Sequence, residues 1–433
     1  MKRSFLYCTA IFLIVSTSQL RSIWFDLNFK CQNPQVWFVD KNNGWLGCWK
    51  SGFNTNTIIF FSTNGGETWD TSLKVWKYTE GISLFSDIYF YNKKYGWLLD
   101  WGLGLLWRTT DSGKTWSSSQ CSYGAGMLGK LSFVDSLYGW IAYLDGYIDK
   151  TTDGGETFIH LVKPDFSIPD SLREIYRDVF FVNRNLGWVV GRLGGNLLIK
   201  KTTDGGLSWA NFVNSNLSGT PKAVFFIDSI NGWAVGTKGL VLKTTDGGEN
   251  WERDNLSLNE ALTLWDIRFL NSNVGYIVGE GKWGNEYYGL ILRTDDGGKT
   301  WLRQYSPVKD YCTSICIVDS LTAWITGSYT LIKTTDGGYL FPSAVSDEEC
   351  LKENEMIAQP FSDEFWITFD DDFKEATLLL FNSLGELLFQ REIRLSEIDK
   401  KYCVEAKYFP SGMYFLVVRS NQKTKVHKLI LLR

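Results

Sequence analysis

Histidine is almost absent from this 433-residue chain: the two copies are His160 and His427. That scarcity argues against imidazole catalysis and against a His-rich metal centre. Proline is held to eight residues, which excludes long proline-rich linkers. Excess positive charge is also missing. The 44 Lys and Arg are outnumbered by 48 Asp and Glu, so the net charge of −4 gives no field suited to nucleic acid.

Cysteine is thin and scattered, and no C-x-x-C pair suggests zinc. No apolar run is long enough to cross a bilayer. The longest near the N-terminus, Phe5–Val15, follows Lys2 and Arg3 and precedes the small residues Ser16 and Ser18. This pattern reads as a secretory signal peptide over residues 1–18, the alternative being an N-terminal core strand. With the peptide removed, no transmembrane candidate remains. The mature chain keeps Cys31, Cys48, Cys121, Cys312, Cys316, Cys350 and Cys403. An odd count so spaced is not a disulfide framework, although an exported chain accommodates one or two bridges; most of these thiols read as small buried hydrophobes.

What the chain does contain is aromatic residues and repetition. Aromatics make up 16%, with 20 Trp. A decamer recurs as VWFVDKNNGW (36–45), IYFYNKKYGW (88–97), LSFVDSLYGW (131–140), VFFVNRNLGW (179–188), VFFIDSINGW (224–233), IRFLNSNVGY (267–276) and ICIVDSLTAW (315–324). Each is an apolar run, an Asp or Asn turn, then a small residue and an aromatic that open a second strand.

An octapeptide follows each decamer, as in TTDGGLSW (202–209) and TTDGGENW (244–251). Its third position is Asn64, Asp111, Asp153, Asp204, Asp246, Asp296 or Asp336 in turn. Gly holds the fifth position in all seven copies and an aromatic the eighth. The Asp oxygen can accept backbone N–H groups ahead of it, Gly supplies positive φ, and the aromatic returns to the sheet. One Asp among Gly and Thr offers too few oxygens for calcium.

Each unit thus holds about four strands, and seven such units predict an all-β chain built on a seven-bladed β-propeller. The octapeptide resembles the Asp-box, or bacterial neuraminidase repeat, of sialidases, some endoglucanases and sortilin-type receptors. Paired with the F-x-D-x-x-x-G-W decamer, it looks more like the photosystem II stability and assembly-factor propellers, over roughly residues 30–343. The resemblance specifies fold far better than function, because these propellers host hydrolases, receptors and assembly factors.

Past residue 344 the boxes stop. Residues 345–359 read as a linker and 360–433 as a small β-sandwich of short alternating strands. That tail resembles the C-terminal sorting domain of the type IX secretion system of Bacteroidetes. The matching elements are Pro360-Phe361, the turn around Gly385, Gly412 with Tyr414, and Lys428–Leu432; Gln359 stands where that family commonly has Asn. The resemblance implies export to the cell surface or medium through that machinery. The DSL and DSI turns at 135–137, 170–172, 228–230 and 319–321 are similar to a short O-glycosylation motif of exported Bacteroidetes proteins, and also serve as ordinary turns.

Both recurrent turns fall on one face of such a propeller, which puts ligand contacts on the other. Binding candidates there are Trp101, Arg192, Lys238, Trp283, Tyr287 and Tyr288, suited to a protein or glycan ligand without a cofactor. The rival is a glycoside hydrolase using Asp100 and Asp145, read as like positions in adjacent blades, or Glu280 and Glu286 in the longest loop. A sialidase would need an arginine triad. Arg173, Arg177 and Arg192 are the nearby candidates, and that family's Arg-Ile-Pro element is missing.

Overall fold

The computed structural model describes residues 24–29, 31–50, 56–76, 85–100, 104–121, 129–212, 217–254, 263–283, 286–304, 306, 308, 310–335 and 337, together with the strands of the C-terminal unit. The chain divides into a unit spanning Ser22–Ser343 and a second containing Ala344–Arg433. The first holds seven four-stranded antiparallel sheets, the blades of a propeller. Blade 4 is representative: Glu174–Phe181 lies innermost, followed outward by Gly187–Leu193, Asn196–Thr202 and Ala210–Phe212.

The decamer turns are Asx turns. In blade 5, Asp228 Oδ1 accepts the N–H groups of Ile230 and Asn231, both at 2.7 Å, which reverses the chain between the first two strands. The octapeptide closes the last hairpin at the same end of the blade. Thr202 Oγ1 donates to Asp204 Oδ1 at 2.8 Å and accepts Gly206 N–H at 2.8 Å. Asp204 then accepts Ser208 N–H at 2.9 Å and the Ser208 hydroxyl at 2.5 Å. These bonds, led by the Ser208 hydroxyl and its backbone N–H, pull the Asp204 carboxyl down to about 2. Gly205 and Gly206 sit at φ 75° and 95°, where a side chain would be strained. Gly205 N–H also reaches Asn185 O at 2.8 Å, tying the box to the decamer turn of its own blade.

Blades are joined by aromatic stacking. In every blade but the sixth, the Trp that opens the second strand lies flat on the Phe that ends the next blade's inner strand. The pairs are Trp45–Phe90 (3.7 Å between centroids), Trp97–Phe133 (3.8 Å), Trp140–Phe181 (3.7 Å), Trp188–Phe226 (3.4 Å), Trp233–Phe269 (3.9 Å) and Trp324–Phe38 (3.6 Å). The octapeptide Trp meets that Phe edge-on, as Trp251 does Phe226 at 5.7 Å. In blades 1 to 5 the Gly before the Trp leaves room for the blade's own Phe: a Cβ on Gly232 would stand 2.4 Å from Phe226. The indole N–H of Trp97, Trp140, Trp188 and Trp324 donates to the fourth residue of the neighbouring box, Gly154, Gly205, Gly247 and Gly65, at 2.8–3.1 Å. The box is therefore also an acceptor between blades.

The junction of blades 6 and 7 departs from this scheme. Tyr276 replaces Trp and sends its hydroxyl to Gly337 O at 2.8 Å. Blade 7 has Ile317 for Phe and, opposite it, Ala323 for Gly. The smaller aliphatic side chain makes space for the methyl group. Trp24, fully buried, meets Tyr276 edge-on at 6.1 Å and donates to Gln304 Oε1 at 2.7 Å.

The outer strand of blade 7 does not come from the run after its own box, as the repeat pattern implies. Phe25–Asp26 supplies it, paired antiparallel with Leu331–Thr334. The ring is thus closed by the N-terminal segment. A disulfide between Cys31 and Cys48 ties the first two strands of blade 1, with Cα atoms 5.9 Å apart. Among the described residues Cys121, Cys312 and Cys316 are free and buried.

The C-terminal unit contains a five-stranded sheet that includes Glu375–Asn382, Leu387–Arg394, Gly412–Arg419 and Thr424–Leu431, and a two-stranded sheet of Glu364–Thr368 with Lys401–Glu405. Its buried side chains, Leu378, Leu380, Val404, Tyr414, Leu416 and Val418, come from both sheets.

Candidate functional site

Because the decamer turns and the boxes share one end of every blade, the tips between second and third strands fall at the other. There the inner strands begin around the axis, and most begin with a bulge. The register shifts fall at Ser86, Arg177, Lys222, Trp265 and Thr313, each two residues before its decamer. A bulge leaves one residue out of the ladder and re-aims its side chain, so blades 4, 5 and 6 turn Arg177, Lys222 and Trp265 into one neighbourhood.

Arg192, opposite Ile175 on the next strand of blade 4, joins them. Lys222 Nζ lies over the Trp265 ring at 4.7 Å. Burial, with the charges of Arg177 and Arg192, lowers the Lys222 ammonium to about 8, while Glu280 opposes the shift. Burial and the repulsion of Arg192 likewise lower Arg177. The Nε atoms of Arg177 and Arg192 and the indole N–H of Trp265 are buried and find no acceptor among the described residues. Three cations against one carboxylate make this mouth electropositive.

One residue deeper, buried acids face cations and take up backbone N–H groups. Asp87, Asp178 and Asp266 each accept an inner-strand N–H of the next blade, from Leu131, Val224 and Ile315, at 2.9–3.1 Å. Lys130 Nζ lies 3.2 Å from Asp87 Oδ1, and Arg268 3.7 Å from Asp266. Burial raises the Asp178 carboxyl to about 7 against the pull of Arg268 and Lys130. These acids lock neighbouring blades together.

Of the proposed binding residues, Arg192 lies at the mouth. Lys238 is exposed on its hairpin tip at φ 60°, its carbonyl accepting from Arg253 Nη2 at 3.2 Å. Tyr287 is 55% exposed. Tyr288 instead packs on the blade 5–6 core with Arg303 over its ring at 4.6 Å, close above Gly281. Trp101 and Asp336 lie outside the described residues, as do the side chains of Trp283 and Glu286.

The hydrolase arrangement needs correcting. Counting from Gly96 and Gly139, Asp100 aligns with Tyr143, so Asp100 and Asp145 are not equivalent positions. Asp100 ends a buried strand and has no exposed surface, whereas Asp145 sits on a half-buried tip whose burial raises its carboxyl. Glu280 pairs with Thr263 and its charge acts on Lys222 at the mouth. Arg177 and Arg192 do come together. Arg173 lies on the preceding loop, over Phe166 at 4.8 Å. Among the described residues no His/Cys/Asp/Glu group has metal-site geometry.

Comparison with known proteins agrees with this architecture. The model of the photosynthesis system II assembly factor YCF48 matches residues 161–258 and 211–347, and that of a secretion system C-terminal sorting domain matches 359–432. The photosystem II assembly lipoprotein Ycf48 of Synechococcus sp. (strain CC9902) is 30% identical over 159 residues, 36% of this chain and 44% of that protein. The match therefore spans less than half the length of that relative. A structure of YCF48 bound to D1 peptide superposes with a TM-score of 0.55 at 19% identity, covering 72% of this chain and 96% of that one. A streptogramin B lyase does so at 0.54 and 13%, covering 72% and 95%. At such identities the two structures speak to fold alone, whereas the sequence relatives bear the names of assembly factors. The chain is an Asp-box β-propeller related to the photosystem II assembly factors Ycf48 and HCF136, and it carries a C-terminal sorting domain of the Bacteroidetes secretion type that directs it to the cell surface or beyond.

Proposed function

We propose that the propeller is a non-catalytic binding module that holds an anionic segment of another protein at the channel mouth formed by Arg177, Arg192, Lys222 and Trp265. The observation that carries this reading is the clustering of like charge: Arg177 and Arg192 repel each other and Lys222, whose ammonium lies over the Trp265 ring at 4.7 Å. An incoming carboxylate would relieve that repulsion and add charge-assisted hydrogen bonds. A protein of the same fold is known with a peptide bound, which makes a protein segment the first ligand to test. Residues 360–433 serve a separate partner, the type IX secretion machinery.

The test is binding of a glutamate-rich peptide to the mature chain by biolayer interferometry, across a salt series. Arg177→Glu with Arg192→Glu should weaken binding at least about tenfold and flatten the salt dependence. Unchanged affinity would overturn the assignment. Binding of an acidic polysaccharide instead, lost in the same variants, would replace protein by glycan as the ligand. Reducing-sugar release from a polysaccharide panel, abolished by Asp145→Asn, would refute a purely binding role.

A further inference from the structure

Beside the mouth runs the connection between blades 3 and 4, residues 163–173, which exposes apolar side chains while being held in place. Phe166 is 56% exposed, Ile168 38% and Leu172 59%. Asp165 Oδ1 accepts Ser167 N–H at 2.8 Å, Leu172 N–H donates to Pro169 O at 2.9 Å, and Arg173 Nε donates to Ile168 O at 3.1 Å. Pro164 and the Glu174 carbonyl lie against Gly146 on the blade 3 tip, and the Ser171 carbonyl lies against Gly194 on the blade 4 tip. Arg173 covers one side of Phe166, and Tyr147 stands 6.1 Å from that ring. A loop so fixed presents its apolar side chains instead of folding over them.

The loop runs straight into the strand that carries Arg177. Leu172, the nearest ridge residue, precedes Arg177 by five positions, which is at most about 17 Å of extended chain. An extended ligand therefore spans both features within a few residues. We infer that the ridge of Phe166, Ile168 and Leu172 is a second subsite of the anion-binding mouth, and that the partner is an extended peptide with a carboxylate cluster and, about four residues away, aromatic or branched aliphatic side chains. The inference rests on the reading of the mouth as an anion seat. Charge complementarity at Arg177, Arg192 and Lys222 fixes one end of the peptide, and the ridge selects what lies at the other.

The experiment compares two short fluorescein-labelled peptides on the full mature chain by anisotropy. Both end in a glutamate pair. One carries Phe-Leu about four residues upstream, and the other carries Ser-Ser there. The wild type should prefer the Phe-Leu peptide by about tenfold, the expected gain from covering two half-exposed apolar side chains. Phe166→Ser with Leu172→Ser should abolish the preference and leave binding of the Ser-Ser peptide unchanged. Equal binding of the two peptides by the wild type overturns the ridge and leaves the mouth standing, as does a preference that survives the double substitution. If neither peptide binds, or binding ignores Arg177→Glu, the mouth falls and the ridge with it. The peptide exchange needs no variant, so misfolding cannot obscure the answer.

Discussion

Replacing Gly232 by alanine tests the idea that stacking across blades, more than the box itself, dictates glycine in Gly-Trp. The new Cβ would stand 2.4 Å from Phe226 Cε1 and 2.5 Å from Cδ1, so the ring must move. It has little freedom to do so. Trp188 lies 3.4 Å from it, 7° from parallel, and Trp251 abuts its edge at 5.7 Å. Overpacking costs about 1–3 kcal/mol, and loss of the stack adds about 0.5–1.5 kcal/mol. The expected destabilisation is therefore about 2–4 kcal/mol, a fall in Tm on the order of 3–6 °C for a unit of this size. Blade 7 supplies the control, since Ala323 is tolerated opposite Ile317. Adding Phe226→Ile to Gly232→Ala should make the double variant less unstable than the sum of the singles by about 1–2 kcal/mol. Urea unfolding of the mature chain, followed by Trp fluorescence, reads this out, because every Trp except Trp366 precedes residue 344. A neutral Gly232→Ala, or strict additivity, would refute the reasoning.

Thr202→Val keeps the shape of a buried box residue but strands Gly206 N–H, so it should cost about 1–3 kcal/mol by the same assay. The box acids add a pH signature. With its carboxyl at about 2 in the fold and about 3.9 when unfolded, Asp204 contributes stability that is complete above about pH 4 and lost as pH falls through about 2, and melting curves should show Tm declining over that window. Lys222 attracts anions only as the ammonium, and its value of about 8 in the free protein means that acidic-peptide affinity should fall as pH rises from roughly 7 to 9; Lys222→Met should remove that dependence. Trp24→Ala should cost about 3–5 kcal/mol in urea unfolding, because it empties a fully buried site at the ring closure. Deleting residues 345–433 should leave the propeller in the periplasm, and normal surface display by fractionation would contradict the sorting role.

The blades were legible because each repeat states its strands and turns twice, once in the decamer and once in the octapeptide. Asp228 and Asp204 cap turns as their spacing implied. The closing strand was not legible, since Trp24–Asp26 carries neither motif and only its pairing with Leu331–Thr334 reveals its place. Nor was most of the mouth. Lys222 and Trp265 lie two positions before their decamers, level with Arg177, and extending the repeat alignment by those two columns would have exposed them. Asp100 and Asp145 share a loop position, but strand register separates them by two residues. The bridge between Cys31 and Cys48 depends on strands brought side by side in blade 1, which spacing alone does not reveal.

The Trp–Phe stacks have one further consequence. Every blade bearing both a Gly-Trp and an inner-strand Phe offers a plug on one side and a socket on the other, and the two are interchangeable from blade to blade. Gain or loss of such a repeat, by duplication or deletion of its coding segment, needs no new interface to be invented. The seam of Tyr276, Ile317 and Trp24 is different: its parts fit only one another. Natural variation in blade number should therefore arise among blades 1 to 5 and leave that seam intact.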